Sequence, residues 1–456
     1  MCTGFSEGEH RYTVTKTTVR HLKESSQNGC SWCNLLWAFL STVENKDGDE
    51  IPYTATICFT ALEEYHTPVG SRLIYLSVDP DDKKYHHAWS LRLNAYTPQD
   101  SCAARRIVAR LLQTDTSTMN TRNQIASWMH DCAGHECCAP QIDVPLPSRV
   151  IELSPTDNPD RPRLISSNGR KGRYATLSHS WGTQPSSLLT TANIEGCMNG
   201  LDVKGLPLNI QNAITVAKSI PVDYLWVDNL CILHDSDADR TAQFAQIAQI
   251  YKNSVVTIVA ADAKEINDGF LHTRTGAPTR VDDCRVWVGR RKDGSNHIPW
   301  TIPFWVEDSI VGTMSLRCLG CETEYQERNE IINTRAWTWQ QQWMAPRVLF
   351  YGSHTLQWRC KHSVRNLGDS LHFDPDTTYP LYFLTRPETS LQHELLRWLR
   401  VMELYSPRKA SSPSDKLPAL ASIAKEFSGS LGPHYYAGIW AGTKGYDAQI
   451  IEQLCW

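Results

Sequence analysis

The sequence predicts an α/β protein: a mainly parallel sheet with flanking helices in the middle of the chain, an N-terminal mixed α+β region and a C-terminal helical and irregular region. Apolar, non-alternating runs recur at Tyr174-Ala-Thr-Leu-Ser178, Tyr224-Leu-Trp-Val-Asp228 and Ser254-Val-Val-Thr-Ile-Val-Ala-Ala261, as strands buried on both faces require. Between them, Leu206, Ile210, Ala213, Ile214 and Ala217 mark one helical face, and Phe244, Ile247, Ile250 and Tyr251 a second. Crossover helices join parallel strands, so this βαβαβ pattern places ligands at the carboxyl ends of the strands. Those ends carry Ser178-His179, Asp228-Asn229 and Asp262.

The remaining elements follow in order. Leu35–Leu40 reads as helical, Tyr53–Thr60 and Arg72–Val78 as strands, and residues 121–133 as a helix before Pro140, Pro145 and Pro147. This gives an N-terminal Cys-rich α+β region over 1–145, a central domain over 146–345 and a C-terminal region over 346–456. In the central domain, Trp337, Gln340, Gln341 and Met344 fall on one helical face; a Ser/Pro-rich loop at 405–415 then precedes a helix around Leu417–Phe427.

Composition removes several function classes. With 45 basic and 49 acidic residues and a net charge of −4, no chain-wide field attracts a nucleic acid or an anionic membrane. No apolar run reaches the roughly 18 residues of a membrane span and none near the start resembles a signal peptide, so a cytoplasmic protein is expected. No G-x-G-x-x-G, P-loop or H-E-x-x-H motif occurs. The 15 cysteines are then expected to be thiols or metal ligands rather than a disulfide framework. Cys30-Ser-Trp-Cys33 together with Cys132, His135, Cys137 and Cys138 forms the best set for a structural zinc ion, against the alternative of buried thiols. Cys318-Leu-Gly-Cys321 lacks a matching partner cluster.

Four blocks stand out: Tyr174-Ala-Thr-Leu-Ser-His-Ser-Trp-Gly182; Leu206-Pro through Tyr224-Leu-Trp-Val-Asp-Asn-Leu-Cys-Ile232; Ile250-Tyr-Lys-Asn-Ser254 with Asp268-Gly-Phe-Leu-His-Thr-Arg274; and Arg335-Ala-Trp-Thr-Trp-Gln340. Taken in order, they resemble the fungal heterokaryon-incompatibility (HET) domain. Asp415–Leu420, Tyr436–Trp440 and Leu454-Cys-Trp456 resemble blocks that follow such domains more weakly. The resemblance implies a distantly TIR-like fold and a role in non-self recognition and programmed cell death, with a recognition protein or a small molecule as partner. Some TIR domains cleave NAD, but relatives of this chain usually carry acids where it has Gln243 and Gln341. An amide can neither act as a base nor stabilise an oxocarbenium ion, which counts against NAD glycohydrolysis. His234 stands where the family commonly has Gln.

His179, Asp228 and His234 are the candidate catalytic residues, an acid, a base and an orienting carboxylate converging at strand ends. Asp228 reads equally as a helix cap. Ser178, Trp181, Trp226, Asn229, Arg335, Trp337, Gln340 and Gln341 are candidate pocket residues, the tryptophans serving either as packing or as a platform for a flat ligand. Three functions are compatible with this pattern: an incompatibility effector, a HET fold recruited as a small-molecule enzyme in secondary metabolism, and a non-catalytic binding scaffold.

Overall fold

Tyr174–Ser178, all five residues buried, lies inside an eight-stranded mixed sheet. The computed structural model describes residues 11–42, 52–61, 72–80, 89–98, 100–105, 107, 110, 113–182, 187–274, 300–306, 309–318, 327–369, 391–410 and 412–441. The chain divides into two compact units: Met1–Gln113 with Gly276–Tyr325 and Gly368–Phe373, and Thr114–Thr275 with Gln326–Leu367 and Asp374–Trp456. The boundaries expected near 145 and 345 both fall inside the second unit. Strand pairing draws distant segments together, and local composition does not report it.

The first unit contains a six-stranded antiparallel sheet in the spatial order Arg11–Thr18, Pro52–Ala61, Arg72–Pro80, Trp89–Tyr96, Ser309–Cys318 and Trp300–Val306. Two of these strands contain the runs read as strands at 53–60 and 72–78. The helical run at 35–40 lies within Ser31–Thr42. Cys318 ends a strand, while Cys321 lies outside the described residues.

The second unit holds the eight-stranded sheet. Its strands are β1 (Arg149–Glu152), β2 (Arg163–Ser166), β3 (Tyr174–Ser178), β4 (Tyr224–Trp226), β5 (Val256–Val259), β6 (Arg347–Tyr351), β7 (Leu356–Cys360) and β8 (Val364–Asn366). Its main helices are α1 (Met119–Ala133), α2 (Leu208–Ala217), α3 (Asp228–Cys231), α4 (Asp237–Asn253), α5 (Ala336–Met344), α6 (Leu391–Tyr405) and α7 (Lys416–Leu431). The sheet order is β8-β7-β6-β5-β3-β4-β1-β2. The βαβαβ reading corresponds to β3-α2-β4-α4-β5, and β3 pairs parallel with both β4 and β5. β6 adds a further parallel partner to β5, whereas β1, β2, β7 and β8 pair antiparallel. The sheet is therefore mixed, with a parallel centre and antiparallel edges, and it continues past residue 345.

Buried polar atoms on the central strands are satisfied across elements. Thr176 and Thr257, opposite each other on β3 and β5, bring their hydroxyls to 2.7 Å. The Tyr174 and Tyr251 hydroxyls donate to the carbonyls of Ile250 at 2.7 Å and Leu177 at 3.0 Å. Helix α4 starts on a Ser236 cap that accepts from the Asp239 amide, but its buried face is not the expected one. Gln243, Ile247, Ile250 and Tyr251 point inward, while Phe244 is exposed and stacks on Trp337 at 6.1 Å. The i, i+4, i+7, i+8 spacing runs from Gln243, and an apolar pattern alone misassigned that first position. Helix α5 is buried from Thr338 to Met344; it packs on α4, α7, β3 and β5, so a helix covered on nearly all sides replaces the single expected face. No helix among the described residues is long and apolar enough to cross a membrane.

Candidate functional site

Parallel pairing of Tyr224 with Tyr174 and Trp226 with Thr176 sets the carboxyl ends of β3 and β4 side by side. The residues just beyond them meet. Asp228 is not the last residue of a strand: β4 ends at Trp226, and Asp228 opens the short helix α3. Its carboxylate Oδ1 accepts the Asn229 backbone N–H at 2.9 Å, which holds the chain in that turn. Oδ2 accepts the Trp181 indole N–H at 3.0 Å. His179 Nε2 lies 3.0 Å from Asn229 Oδ1 and 3.4 Å from Asp228 Oδ1, and its Nδ1 lies 3.1 Å from the Ser180 carbonyl. The His179 side chain is fully enclosed, with both ring nitrogens engaged.

His234 completes the group. Its Nε2 lies 3.1 Å from the Asp228 carbonyl oxygen, its ring meets Trp181 edge-on at 5.4 Å, and its backbone N–H donates to Leu189 at 2.9 Å. Burial pushes the Asp228 carboxyl upward, yet the hydrogen bond and charge of His179, with the Asn229 and Trp181 bonds, outweigh it and hold the carboxyl below its usual value. Burial drags the Arg335 guanidinium down, and the Asp228 charge acts against that. Trp181, Asp228, His234 and Arg335 are each half-buried; Trp181 and His234 contact Asp228 directly, and Arg335 lies within reach of its charge.

The other predicted pocket residues are placed differently. Ser178 donates to Gln341 Oε1 at 2.6 Å, tying β3 to α5. Gln340 is buried beside it, and its side-chain oxygen has no hydrogen-bond partner among the described residues. Trp226 is wholly buried, edge-on to Tyr251 at 5.7 Å, and belongs to the core. Trp337 stacks on Phe244 and donates to Asp415 at 3.3 Å. Gln243 donates to Ser148 at 3.2 Å, so both amides at the family's acidic positions are bound to serine hydroxyls.

Sequence reasoning missed three contributors. Tyr251, whose hydroxyl burial and the Asp228 charge push well above its ordinary range, braces the strand behind the site. Arg274 is an enclosed cation that donates to Asp262 at 2.8 Å and to the Phe270 carbonyl at 2.8 Å. Its position at the close of a motif block was the available signal. In that block Gly269 has φ +73°, its N–H donates to Asn209 at 2.9 Å, and an added Cβ would meet Leu208 Cδ2 at 2.7 Å. Gly269→Ala is expected to destabilise the protein by about 1–2 kcal/mol, from left-handed strain plus displacement of Leu208. A urea midpoint equal to wild type would refute that.

The predicted metal ligands divide between the units. Cys30 and Cys33 belong to the first unit. Cys132, His135 and Cys138 gather in the second with Cys360, a residue outside the predicted set, and the ligand atoms of these four all lie within 4.8 Å of one another. Cys137 is exposed and not among them. The missing signal was distance along the chain: Cys360 ends β7 and lies in no local Cys motif.

No curated protein and no solved structure matches this chain. Residues 174–341 match the family model described as "Heterokaryon incompatibility protein (HET)". That range begins at the first residue of β3 and ends at the amide that Ser178 holds, so it contains Trp181, Asp228, His234 and Arg335, and this part of the chain is a HET domain.

Proposed function

We propose that the chain acts in a heterokaryon-incompatibility-type response, arresting growth or killing the cell, through ligand binding at Trp181, Asp228, His234 and Arg335. The observation that carries this reading is that Trp181, Asp228, His234 and Arg335, each half-buried beyond the β3 and β4 carboxyl ends, all lie inside the HET-matching stretch. Hydrolysis of NAD is disfavoured because Gln243 and Gln341 are amides bound to Ser148 and Ser178, and no carboxylate is offered at those positions.

The test is forced expression in a fungal host, scoring growth against protein amount. Wild type is expected to arrest growth, and Arg335→Ala and Asp228→Asn to relieve the arrest at equal expression. Equal arrest by all three would separate the response from this site, and growth unaffected by wild type would count against the reading. Purified protein is expected to leave NAD intact; consumption that vanishes in Asp228→Ala would reverse the argument about the amides.

A second reading, a small-molecule enzyme of secondary metabolism using Asp228 and His234 for proton transfer, draws on the half-buried His234, whose Nε2 lies 3.1 Å from the Asp228 main-chain carbonyl. It predicts that His234→Gln abolishes turnover of its substrate, whereas the binding reading predicts only weakened affinity.

A further inference from the structure

We propose that Cys132, His135, Cys138 and Cys360 bind one zinc ion in a closed structural site that clamps the C-terminal end of α1 to β7. This site is independent of the HET cluster and of the role proposed for it. The four ligand atoms lie within 4.8 Å of one another, close enough for one ion to reach them all. Cys138 Sγ and Cys360 Sγ each lie 3.7 Å from His135 Nδ1. Zinc–sulfur bonds of about 2.3 Å and zinc–nitrogen bonds of about 2.0–2.1 Å, set at tetrahedral angles, separate neighbouring ligand atoms by roughly 3.5–3.8 Å. Three thiols and one imidazole converging on one point fill all four positions, leaving none open for water or substrate, and this marks the site as structural rather than catalytic.

A second observation points the same way. Arg347 is 1% exposed, and among the described residues no carboxylate pairs with it. Its guanidinium donates from Nε to Cys132 Sγ at 3.2 Å, from Nη1 to the Val255 carbonyl at 3.2 Å, and from Nη2 to the Ala139 carbonyl. A buried cation needs a counter-charge. Neutral thiols would not supply one. Three thiolates and a neutral imidazole around a divalent ion carry one net negative charge, and Arg347, aimed at a ligand sulfur, balances it as an outer hydrogen-bond donor. Metal uptake by the thiols therefore proceeds with release of their three protons to solvent, with no redox change. Around the shell, His362 stacks on His135 at 3.9 Å, and the Ser363 hydroxyl lies 3.6 Å from Cys360 Sγ.

The ligands also explain an architectural point. Cys132 lies in the last turn of α1, His135 and Cys138 follow it, and Cys360 is the final residue of β7. One ion thus joins a helix preceding the HET-matching stretch to a sheet strand following it, closing a loop that contains the whole of 174–341. Cys30 and Cys33 are not needed to complete the shell.

Elemental analysis of the purified full chain is expected to find about one zinc per molecule. In chain depleted by chelator, added cobalt is expected to give the intense visible bands of tetrahedral thiolate coordination, titrating to about one equivalent. Cys360→Ser should lower bound zinc several-fold and depress the melting temperature, while Cys137→Ser should retain it. Should Cys360→Ser fail to fold, the cobalt spectrum of the wild-type chain still decides. Absence of zinc combined with no cobalt bands, full zinc retention in soluble Cys360→Ser, or a disulfide between two of the three cysteines in native protein would each overturn the assignment.

Discussion

Glu327→Gln is expected to lower the unfolding free energy by about 3–5 kcal/mol, the cost of stripping the partner from a buried ion pair. Glu327 Oε1 and Oε2 accept the two Arg359 terminal nitrogens at 2.8 and 2.6 Å, and the side chains are only 8% and 3% exposed. Arg359 lies over the Phe350 ring at 4.1 Å and also donates to Gln357 at 2.6 Å, so it cannot swing to water without opening the sheet. A second cation depends on the same carboxylate. Burial drags the Arg408 guanidinium down to about 9, and the Glu327 charge is the first influence holding it up. By contrast, exposed pairs such as Lys252–Glu426 are worth about 0–1 kcal/mol. Denaturation in urea measures the difference, and a loss below about 1 kcal/mol would show that the pair is solvated. A double variant, Glu327→Gln with Arg359→Met, is expected to recover much of the loss, because it removes the orphaned charge.

This network reaches the candidate site. The Asn333 side chain donates to the Glu327 carbonyl at 2.8 Å, and its oxygen accepts Gln342 at 3.1 Å and Arg408 at 3.3 Å. These bonds fix the turn from which α5 starts, and α5 carries Gln341 against Ser178 while Arg335, its cap residue, lies in the field of Asp228. Glu327→Gln keeps the main-chain carbonyl that Asn333 uses, so its effect on this turn is expected to pass through Arg408, which loses the Glu327 charge while bonded to Asn333.

How much of this was legible depended on the range of the interaction. β3, β4 and β5 were readable because strands covered on both faces lose alternation and become continuous apolar runs. The meeting of His179, Asp228 and His234 followed from parallel strand ends being neighbours. What failed was distance and phase. β6, β7 and β8 extend the sheet through pairings that no local pattern announces, and the antiparallel strands Trp300–Val306 and Ser309–Cys318 join a sheet made mostly from residues before 97. Gln243 faces inward where Phe244 was expected, because a buried amide with a serine partner satisfies the helical period as an apolar residue does. Cys360 was unreadable as a ligand for the same reason as β7. The enclosure of His179 was equally hidden, since a histidine after a strand looks the same in sequence whether its nitrogens are open or engaged.

Asp228 gives the second large effect, and it separates charge from shape. Asp228→Ala is expected to cost about 3 kcal/mol or more, since it leaves the Asn229 N–H and Trp181 indole without their acceptor at about 1–3 kcal/mol each. Asp228→Asn keeps an acceptor oxygen and the side-chain volume, so a loss of about 1–2 kcal/mol is expected at neutral pH from the weakened contacts with His179 and the indole. The pH dependence gives the sign. The Asp228 carboxyl titrates lower folded than unfolded, its ordinary value being 3.8, so the folded state binds fewer protons in that range and its charged-state stabilisation is complete above the ordinary value. As pH falls through the lowered folded value, that contribution disappears. The gap in urea midpoint between wild type and Asp228→Asn should thus be widest near neutrality and shrink as pH drops below about 4. A gap that stays constant over this range would mean that the carboxylate's charge does nothing for the fold. The site would then be held by shape alone, and relief of growth arrest by Asp228→Asn would have to be read as loss of a ligand contact rather than of a structural anion.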